Sequence, residues 1–318
     1  MNKSVVQYAP ITSLDGLVQA ALAHNENGVM PKVAIARSAE GFVLQAGIEA
    51  YERGVAEPVL IGDIEETQRI ADELGLDISP FRQINMPGDE LAVFEAVRLF
   101  REGEAQLIMK GLVSTAALLK AVLNKETGVP HSSRILSHVS VFESPIDGRV
   151  MIMTDPGVNI TPSLQRKVDI LKNALEVARM IGMEQPKVAV LAATEKINYP
   201  AMPATLDGDI LTKMAGQGEF GDALVLGPLS LDLAVSRDAA ACKQFDNPVA
   251  GCADILLTPN IEAGNILYKA LSTLSGCIMA AVVVGSRVPV VVPSRGDSDA
   301  SKFYSIVLAS LLAQRSLS

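Results

Sequence analysis

The segment PSRGDSDASKF, residues 293 to 303, places Ser294, Arg295, Gly296 and Asp297 at the end of an apolar, β-branched run and just before a stretch of helix formers. In open α/β sheets, ligands sit at such carboxyl ends of strands. A hydroxyl, an arginine fork and the N–H groups of a helix start, with glycine where the backbone must approach closely, suit a phosphate or an acyl phosphate. The competing reading is a strand-to-helix turn with a surface arginine. The segment MKGLVSTAALLKAVL repeats the pattern, with Lys110, Gly111, Ser114 and Thr115 preceding or opening a helix. Arg134, in SSRILSHVSVFE, precedes a further strand, where a salt bridge is its plain alternative. Two such strand ends suggest one shared anion pocket, which Arg134 could enter.

Other motifs carry less. GQGEFG, residues 216 to 221, satisfies the G-x-G-x-x-G pattern, but it leaves a helix and enters the strand ALVLGP. A dinucleotide fingerprint must follow a strand and open a helix, so this one reads as a glycine-rich helix stop. The sequence has no Walker A, G-x-S-x-G or H-E-x-x-H string, and His24, His131 and His138 have no ligand spacing. No metal site is expected. Asp207 and Asp209 read as a helix N-terminus favoured by capping and the helix dipole, with metal binding a weak second. Cys242, Cys252 and Cys277 sit in apolar stretches and are expected to be buried free thiols.

The elements that must position these residues follow a βαβ rhythm. KVAIARS (32 to 38), PVLIGD (58 to 63) and QLIMKG (106 to 111) read as strands, separated by helices near 41 to 54, 64 to 75 and 88 to 102. Parallel strands with helical crossovers result. VSVFES (139 to 144) and RVMIMTD (149 to 155) flank the turn Pro145-Ile146-Asp147-Gly148 and read as a hairpin. A second βα series runs from a helix at 163 to 182 through KVAVLAA, a helix near 207 to 215, ALVLGP, a helix near 230 to 241 and ADILLTP to a helix at 262 to 277. AAVVVG, VPVVVPS and the closing helix DASKFYSIVLASLLAQR are expected to return to the first sheet. With 318 residues, two α/β domains are expected: 1–143 plus 283–318, discontinuous, and 144–282, packed closely around a cleft.

Composition limits the partners. Apolar residues at 49% and charged residues at 20% fit a folded soluble chain rather than a disordered one. A net charge of −9 offers no general basic field for nucleic acid or an anionic membrane, so any anion must meet a local basic site. No apolar run reaches membrane-span length and the first residues lack a secretory apolar core, so a cytoplasmic location is expected.

Seven strings, in order, carry a resemblance: LIMKGLVSTAALLKAVLNKETG, LSHVSVFESP, MTDPGVNITPSLQRKVDILKNA, PKVAVLAATEKINYPAMPATLDGDIL, GPLSLDLAVS, AGCADILLTPNIEAGNILYKAL and PVVVPSRGDS. Together they closely resemble the phosphate acetyltransferase and phosphate butyryltransferase family, nearer its butyryl branch. The resemblance implies interconversion of acyl phosphate plus coenzyme A with acyl-CoA plus orthophosphate, with coenzyme A as a substrate and no cofactor. It implies a two-domain fold shared with isocitrate and isopropylmalate dehydrogenases, with the site in the interdomain cleft. By resemblance, Ser294 and Arg295 match the pair that holds the acyl phosphate and stabilises the transition state, and Arg134 matches a second phosphate-binding arginine of some acetyl-type members. Those members carry an Asp, proposed as the thiol base, where this chain has Ser301; the butyryl branch has its acid at the position of Asp297, with Asp299 nearby. A homodimer or larger assembly is implied, with the helices at 163 to 182 and 262 to 277 as the expected contact surfaces. Two other functions are compatible with such a fold: a catalytically silent sensor of coenzyme A or acyl phosphate, and an oxidoreductase.

Overall fold

Strands whose residues are nearly all apolar must be covered on both faces, and a parallel sheet between helices provides that cover. In a computed structural model, which describes residues 8–25, 29–129 and 135–317, the apolar runs take this form. The chain begins with α1 (Leu14–His24), β1 (Lys32–Ala36), α2 (Gly41–Glu52), β2 (Glu57–Gly62), α3 (Ile64–Leu74), β3 (Arg82–Asn85), α4 (Asp89–Arg101), β4 (Leu107–Lys110) and α5 (Thr115–Val122). It continues with β5 (Ser137–Glu143), β6 (Val150–Thr154), α6 (Leu164–Met180), β7 (Lys187–Leu191), α7 (Pro203–Gly216), β8 (Leu224–Leu229), α8 (Leu231–Val235), α9 (Arg237–Cys242), β9 (Ile255–Leu257) and α10 (Ile261–Lys269), which runs on into a π-helical turn, Ala270–Leu274. It closes with β10 (Ala280–Val284), β11 (Val290–Val291) and α11 (Asp299–Leu317).

The chain forms two compact units, Leu14–Arg134 with Ile278–Ser318, and Met1–Ser13 with Ile135–Cys277. Both crossings fall earlier in the chain than the 143/144 and 282/283 divisions read from the sequence. The hairpin explains the first: β5 pairs antiparallel with β6 from Val139↔Thr154 to Glu143↔Val150, and the two strands go together.

In the first unit the strand order is β3-β2-β1-β4-β11-β10. β1 runs parallel to β2 and β4, β11 runs parallel to β4, and β10 is antiparallel to β11. Helix α11 is apolar around most of its circumference, with Phe303, Ile306, Val307, Leu308, Leu311 and Leu312 all buried, as a helix enclosed by other elements must be. It packs on α1, α2 and β10. Two elements were not read from the sequence. Helix α1 buries Leu14, Leu17, Val18 and Ala21, the i, i+3, i+4, i+7 face of an amphipathic helix. β3 pairs with β2 at the sheet edge, with no buried residue of its own.

The second unit has the order β5-β6-β9-β7-β8, with β6, β9, β7 and β8 parallel. Three sequence expectations change here. Helix α7 starts at Pro203, whose fixed φ and missing N–H suit a first turn, so Asp207 and Asp209 lie inside the helix rather than at its start. Their carboxylates accept instead from Lys167 (2.6 Å) and Lys213 (2.7 Å). The helix expected at 230 to 241 is two short ones, because Ser236 turns extended and caps α9 by accepting the Ala239 N–H. The cysteines are free but not buried: Cys242 is exposed, and Cys252 and Cys277 are half-buried. GQGEFG does join the end of α7 to β8, with Gly218 and Gly221 in the left-handed region that glycine tolerates.

Candidate active site

In a parallel sheet the carboxyl ends of neighbouring strands lie side by side, so whatever follows them is brought together. In the first unit, Ala36 of β1 is in register with Lys110 of β4, and β11 is in register with β4 through Val290↔Ile108 and Val291↔Met109. The Ser294 loop, Lys110 and the residues after Ala36 therefore share one edge of the sheet.

The junction of β1 with β4 is tight. Gly111 N–H donates to Ala36 O and Leu112 N–H to Arg37 O, both at 2.8 Å. A Cβ on Gly111 would lie 2.0 Å from Arg37 O, so only glycine fits. Arg37 itself adopts φ 62°, a left-handed conformation uncommon for a non-glycine residue. It ends β1 abruptly, and its Nε pairs with Asp89 Oδ1 at 2.9 Å.

Lys110 ends β4 half-buried, and its Nζ donates to Gly111 O at 3.1 Å. Burial holds the Lys110 pKa below the ordinary lysine value, the Glu40 carboxylate opposes that lowering, and the Arg295 guanidinium adds to it. Both charges are therefore near enough to act on the ammonium. Ser114 is the N-cap of α5, where its Oγ accepts the Ala117 N–H at 3.1 Å, and Thr115 is the first helical residue. The Ser114 hydroxyl retains its own proton to donate.

After β11 the chain forms a small closed loop. Ser294 N–H donates to Asp297 Oδ2 (2.8 Å), Asp297 N–H donates to Ser294 O (3.1 Å), and Gly296 N–H donates to Ser294 Oγ (3.4 Å). Ser294 and Arg295 are exposed. The Ser294 Oγ, having accepted from Gly296, is left with its O–H to give. Arg295 Nε lies 3.3 Å from Glu40 Oε1. Asp299 is exposed in the first turn of α11 and pairs with Lys302 Nζ at 3.1 Å. Ser301, at the position of the acetyl-type acid, is only 3% exposed and accepts the Met279 N–H at 3.0 Å. Its side chain is turned into the unit and away from solvent.

Of the residues singled out in the sequence, Lys110 thus ends β4, Ser114 and Thr115 follow it, and Ser294, Arg295, Asp297 and Asp299 follow β11, all in one unit. Arg134 and His131 lie outside the described residues. His138 is buried, its ring edge-on to Tyr268. Among the described residues no group of three or more His, Cys, Asp or Glu is placed to hold a metal ion, and no helix is long and apolar enough to cross a membrane. Glu40 and Arg37 were not read from the sequence. Their signal was present: ARSAEGF repeats the strand-end, hydroxyl, helix-start pattern already recognised at β4 and β11.

The sequence profile described as phosphate acetyl/butaryl transferase matches residues 89–310. The chain belongs to that family. Phosphate butyryltransferase of Clostridium acetobutylicum is 44% identical to it over 284 residues, covering 89% of this chain and 94% of that protein. Among solved structures, a branched-chain phosphotransacylase from Enterococcus faecalis superimposes with a TM-score of 0.80 at 34% identity, covering 89% of this chain and 99% of that one. A 4-hydroxythreonine-4-phosphate dehydrogenase from Klebsiella pneumoniae, at 14% identity and a TM-score of 0.55 over 90% of this chain and all of its own, shares the fold alone. The α/β architecture is thus that of the phosphate acetyl/butaryl transferases, with a dehydrogenase among its structural relatives.

Proposed function

We propose that this chain is a phosphate acyltransferase that interconverts acyl phosphate plus coenzyme A with acyl-CoA plus orthophosphate. Beyond family membership, one observation supports the reading: Lys110 ends β4 and the Ser294–Arg295 loop follows β11, its parallel neighbour, where a hydroxyl donor and two cations suit a phosphate joined to a carbonyl.

The reaction needs no covalent enzyme intermediate, because a thiolate is a good nucleophile and phosphate a good leaving group. The coenzyme A thiolate attacks the acyl carbon, the carbon–sulfur bond forms, and the carbon–oxygen bond to phosphate then breaks with its electron pair leaving on phosphate. Ser294 O–H donates to the carbonyl oxygen as charge develops there, an interaction worth roughly 3 to 4 kcal/mol when well aimed. Arg295 and Lys110 neutralise the departing phosphate, helped by Arg134, Ser114 and Thr115 as further binding groups. Holding both substrates in one ternary complex supplies much of the remaining acceleration.

The thiol must lose a proton. Transfer from a thiol of pKa near 8.5 to an ordinary aspartate near 3.9 is uphill by about 4.6 units, or roughly 6 kcal/mol. Asp297 already accepts the Ser294 N–H, and Asp299 is paired with Lys302. This favours Asp297 as the brace of the Ser294 loop, with the cations lowering the thiol pKa. We place the enzyme in the cytoplasm, in a homodimer or larger assembly.

The test is an assay of purified protein with coenzyme A and acetyl, propionyl and butyryl phosphates, following thioester absorbance. Thioester formation that is lost in Arg295→Ala supports the reading. No thioester with any of the three refutes it.

A further inference from the structure

A carboxylate at a helix N-cap ordinarily accepts from the N–H groups of the first turn. Glu40 occupies the N-cap of α2 but makes no such bond. Its backbone is fixed instead: Glu40 N–H donates to Ser38 O (2.7 Å), and its own carbonyl accepts from Val43 and Leu44 (3.0 and 3.1 Å). Its side chain is only 12% exposed, and its Oε1 lies 3.3 Å from the Nε of Arg295, a side chain that is 76% exposed. An arginine with so much of its length in water has wide rotamer freedom, and a fixed carboxylate restricts it.

We infer that Glu40 is a positioning residue of the acyl phosphate site, holding Arg295 at the strand ends and balancing the combined charge of Arg295 and Lys110. The charged groups around Lys110 come from two strand ends, those of β1 and β11. Glu40 lies at the start of α2, Arg295 follows β11, and Arg37 follows β1 with its Nε paired to Asp89 of α4. Of the two that act on the ammonium, Glu40 alone favours its protonated form. Glu40 thus does two things that are separable by experiment. Its geometry aims Arg295, and its charge keeps Lys110 protonated to higher pH.

The inference rests on the acyl phosphate reading, whose failure shows in the wild type, whereas failure of the inference shows only in the variants. Glu40→Gln and Glu40→Asp are compared with wild type in kcat, KM for acyl phosphate, pH profile and thermal unfolding. Glu40→Gln is expected to lower kcat/KM about tenfold, the scale of one charge-assisted contact, ~1.4 kcal/mol. Its alkaline limb should move to lower pH, because the negative charge that supports Lys110 is gone. Glu40→Asp, which keeps the charge but is shorter by one methylene, should lose activity while keeping the wild-type alkaline limb. Both variants should unfold at close to the wild-type temperature, since no capping bond is lost. Wild-type kcat/KM and pH profile in Glu40→Gln overturn the inference. Activity losses that track a lowered unfolding temperature, with the alkaline limb unmoved in both variants, also overturn it and make Glu40 structural.

Discussion

Replacing Gly111 by alanine tests whether the contact between β1 and β4 sets the site. The added Cβ would lie 2.0 Å from Arg37 O, 2.7 Å from Arg37 C and 2.8 Å from Ala36 O. Ordinary carbon contacts lie at about 3.5 Å, so the first overlap is about 1.5 Å, and every atom it meets is backbone. No rotamer change relieves it. The strand ends must part, which lengthens or breaks the 2.8 Å bonds from Gly111 N–H to Ala36 O and from Leu112 N–H to Arg37 O. Each bond is worth about 1 kcal/mol net, and up to about 3 if a buried partner is stranded, giving about 2 to 4 kcal/mol for the pair. Alanine's lower unfolded-state entropy returns only about 0.4 to 1 kcal/mol. A net loss of roughly 1 to 3.5 kcal/mol is therefore expected.

Urea unfolding followed by circular dichroism reads this as a lower midpoint. Hydrogen exchange should show lost protection at Gly111 and Leu112, and thioester formation should slow because Lys110 and Arg37 flank the disturbed peptide. Gly216, at the end of α7 with no atom within 4 Å of an added Cβ, is the control, and Gly216→Ala should be neutral or slightly stabilising. A Gly111→Ala protein with wild-type midpoint, exchange and turnover would refute the close-contact argument.

Asp297→Asn and Asp297→Ala distinguish a brace from a base: an amide oxygen still accepts the Ser294 N–H, so Asn should keep most of the turnover and Ala should lose it, whereas a large loss in Asn with a vanished acidic limb would make Asp297 the base. Burial raises the Asp254 pKa, while its bond from Lys187 N–H (2.8 Å) and the Lys187 and Arg149 charges oppose the rise. Ionised Asp254 therefore costs the folded state at neutral pH, and that cost disappears as pH falls and the folded form takes up its proton. Asp254→Asn should raise Tm at neutral pH and lose the advantage in acid; a lower Tm throughout would show the charge to be stabilising. Burial, with Asp15 accepting the phenol proton, pushes the Tyr304 pKa up to about 12, so ultraviolet titration should show one of the five tyrosines ionising late and Asp15→Asn moving it earlier.

Apolar runs and strand-end chemistry were legible because both are local. KVAIA, EPVLIG and LIMK bury almost every residue, and a run of that kind needs no partner to be recognised as an enclosed strand. RQIN of β3 buries none and so gave no periodic signal; it is a strand only because β2 offers an edge to pair with. Asp207 and Asp209 were misplaced because acidic residues favour helix starts on average, and the Lys167 and Lys213 ammonium groups that hold them inside α7 come from sequence-separated and same-face positions respectively. The same division runs through the site. Ser294, Arg295 and Lys110 advertise themselves by what immediately follows a strand, whereas Glu40 matters because of a guanidinium supplied by the far end of the chain.

That arrangement has a measurable consequence for substrate binding. Burial, and to a lesser degree the Arg295 charge, hold the Lys110 pKa below the ordinary lysine value in the free protein, and Glu40 offsets only part of that lowering. A phosphate dianion placed between the cations adds negative charge beside the ammonium and must raise its pKa. By linkage, phosphate then binds with proton uptake wherever free Lys110 is partly deprotonated, and with no contribution from Lys110 at lower pH, where it is already charged in both states. Calorimetric titration of orthophosphate in buffers of different ionisation enthalpy reads the number of protons directly. Uptake should grow as the solution is made alkaline, exceed the uptake or release of phosphate itself, and vanish in Lys110→Met. Binding whose heat is independent of the buffer at alkaline pH would mean that Lys110 does not face the phosphate, and would move the cationic part of the site to Arg295 and its neighbours alone.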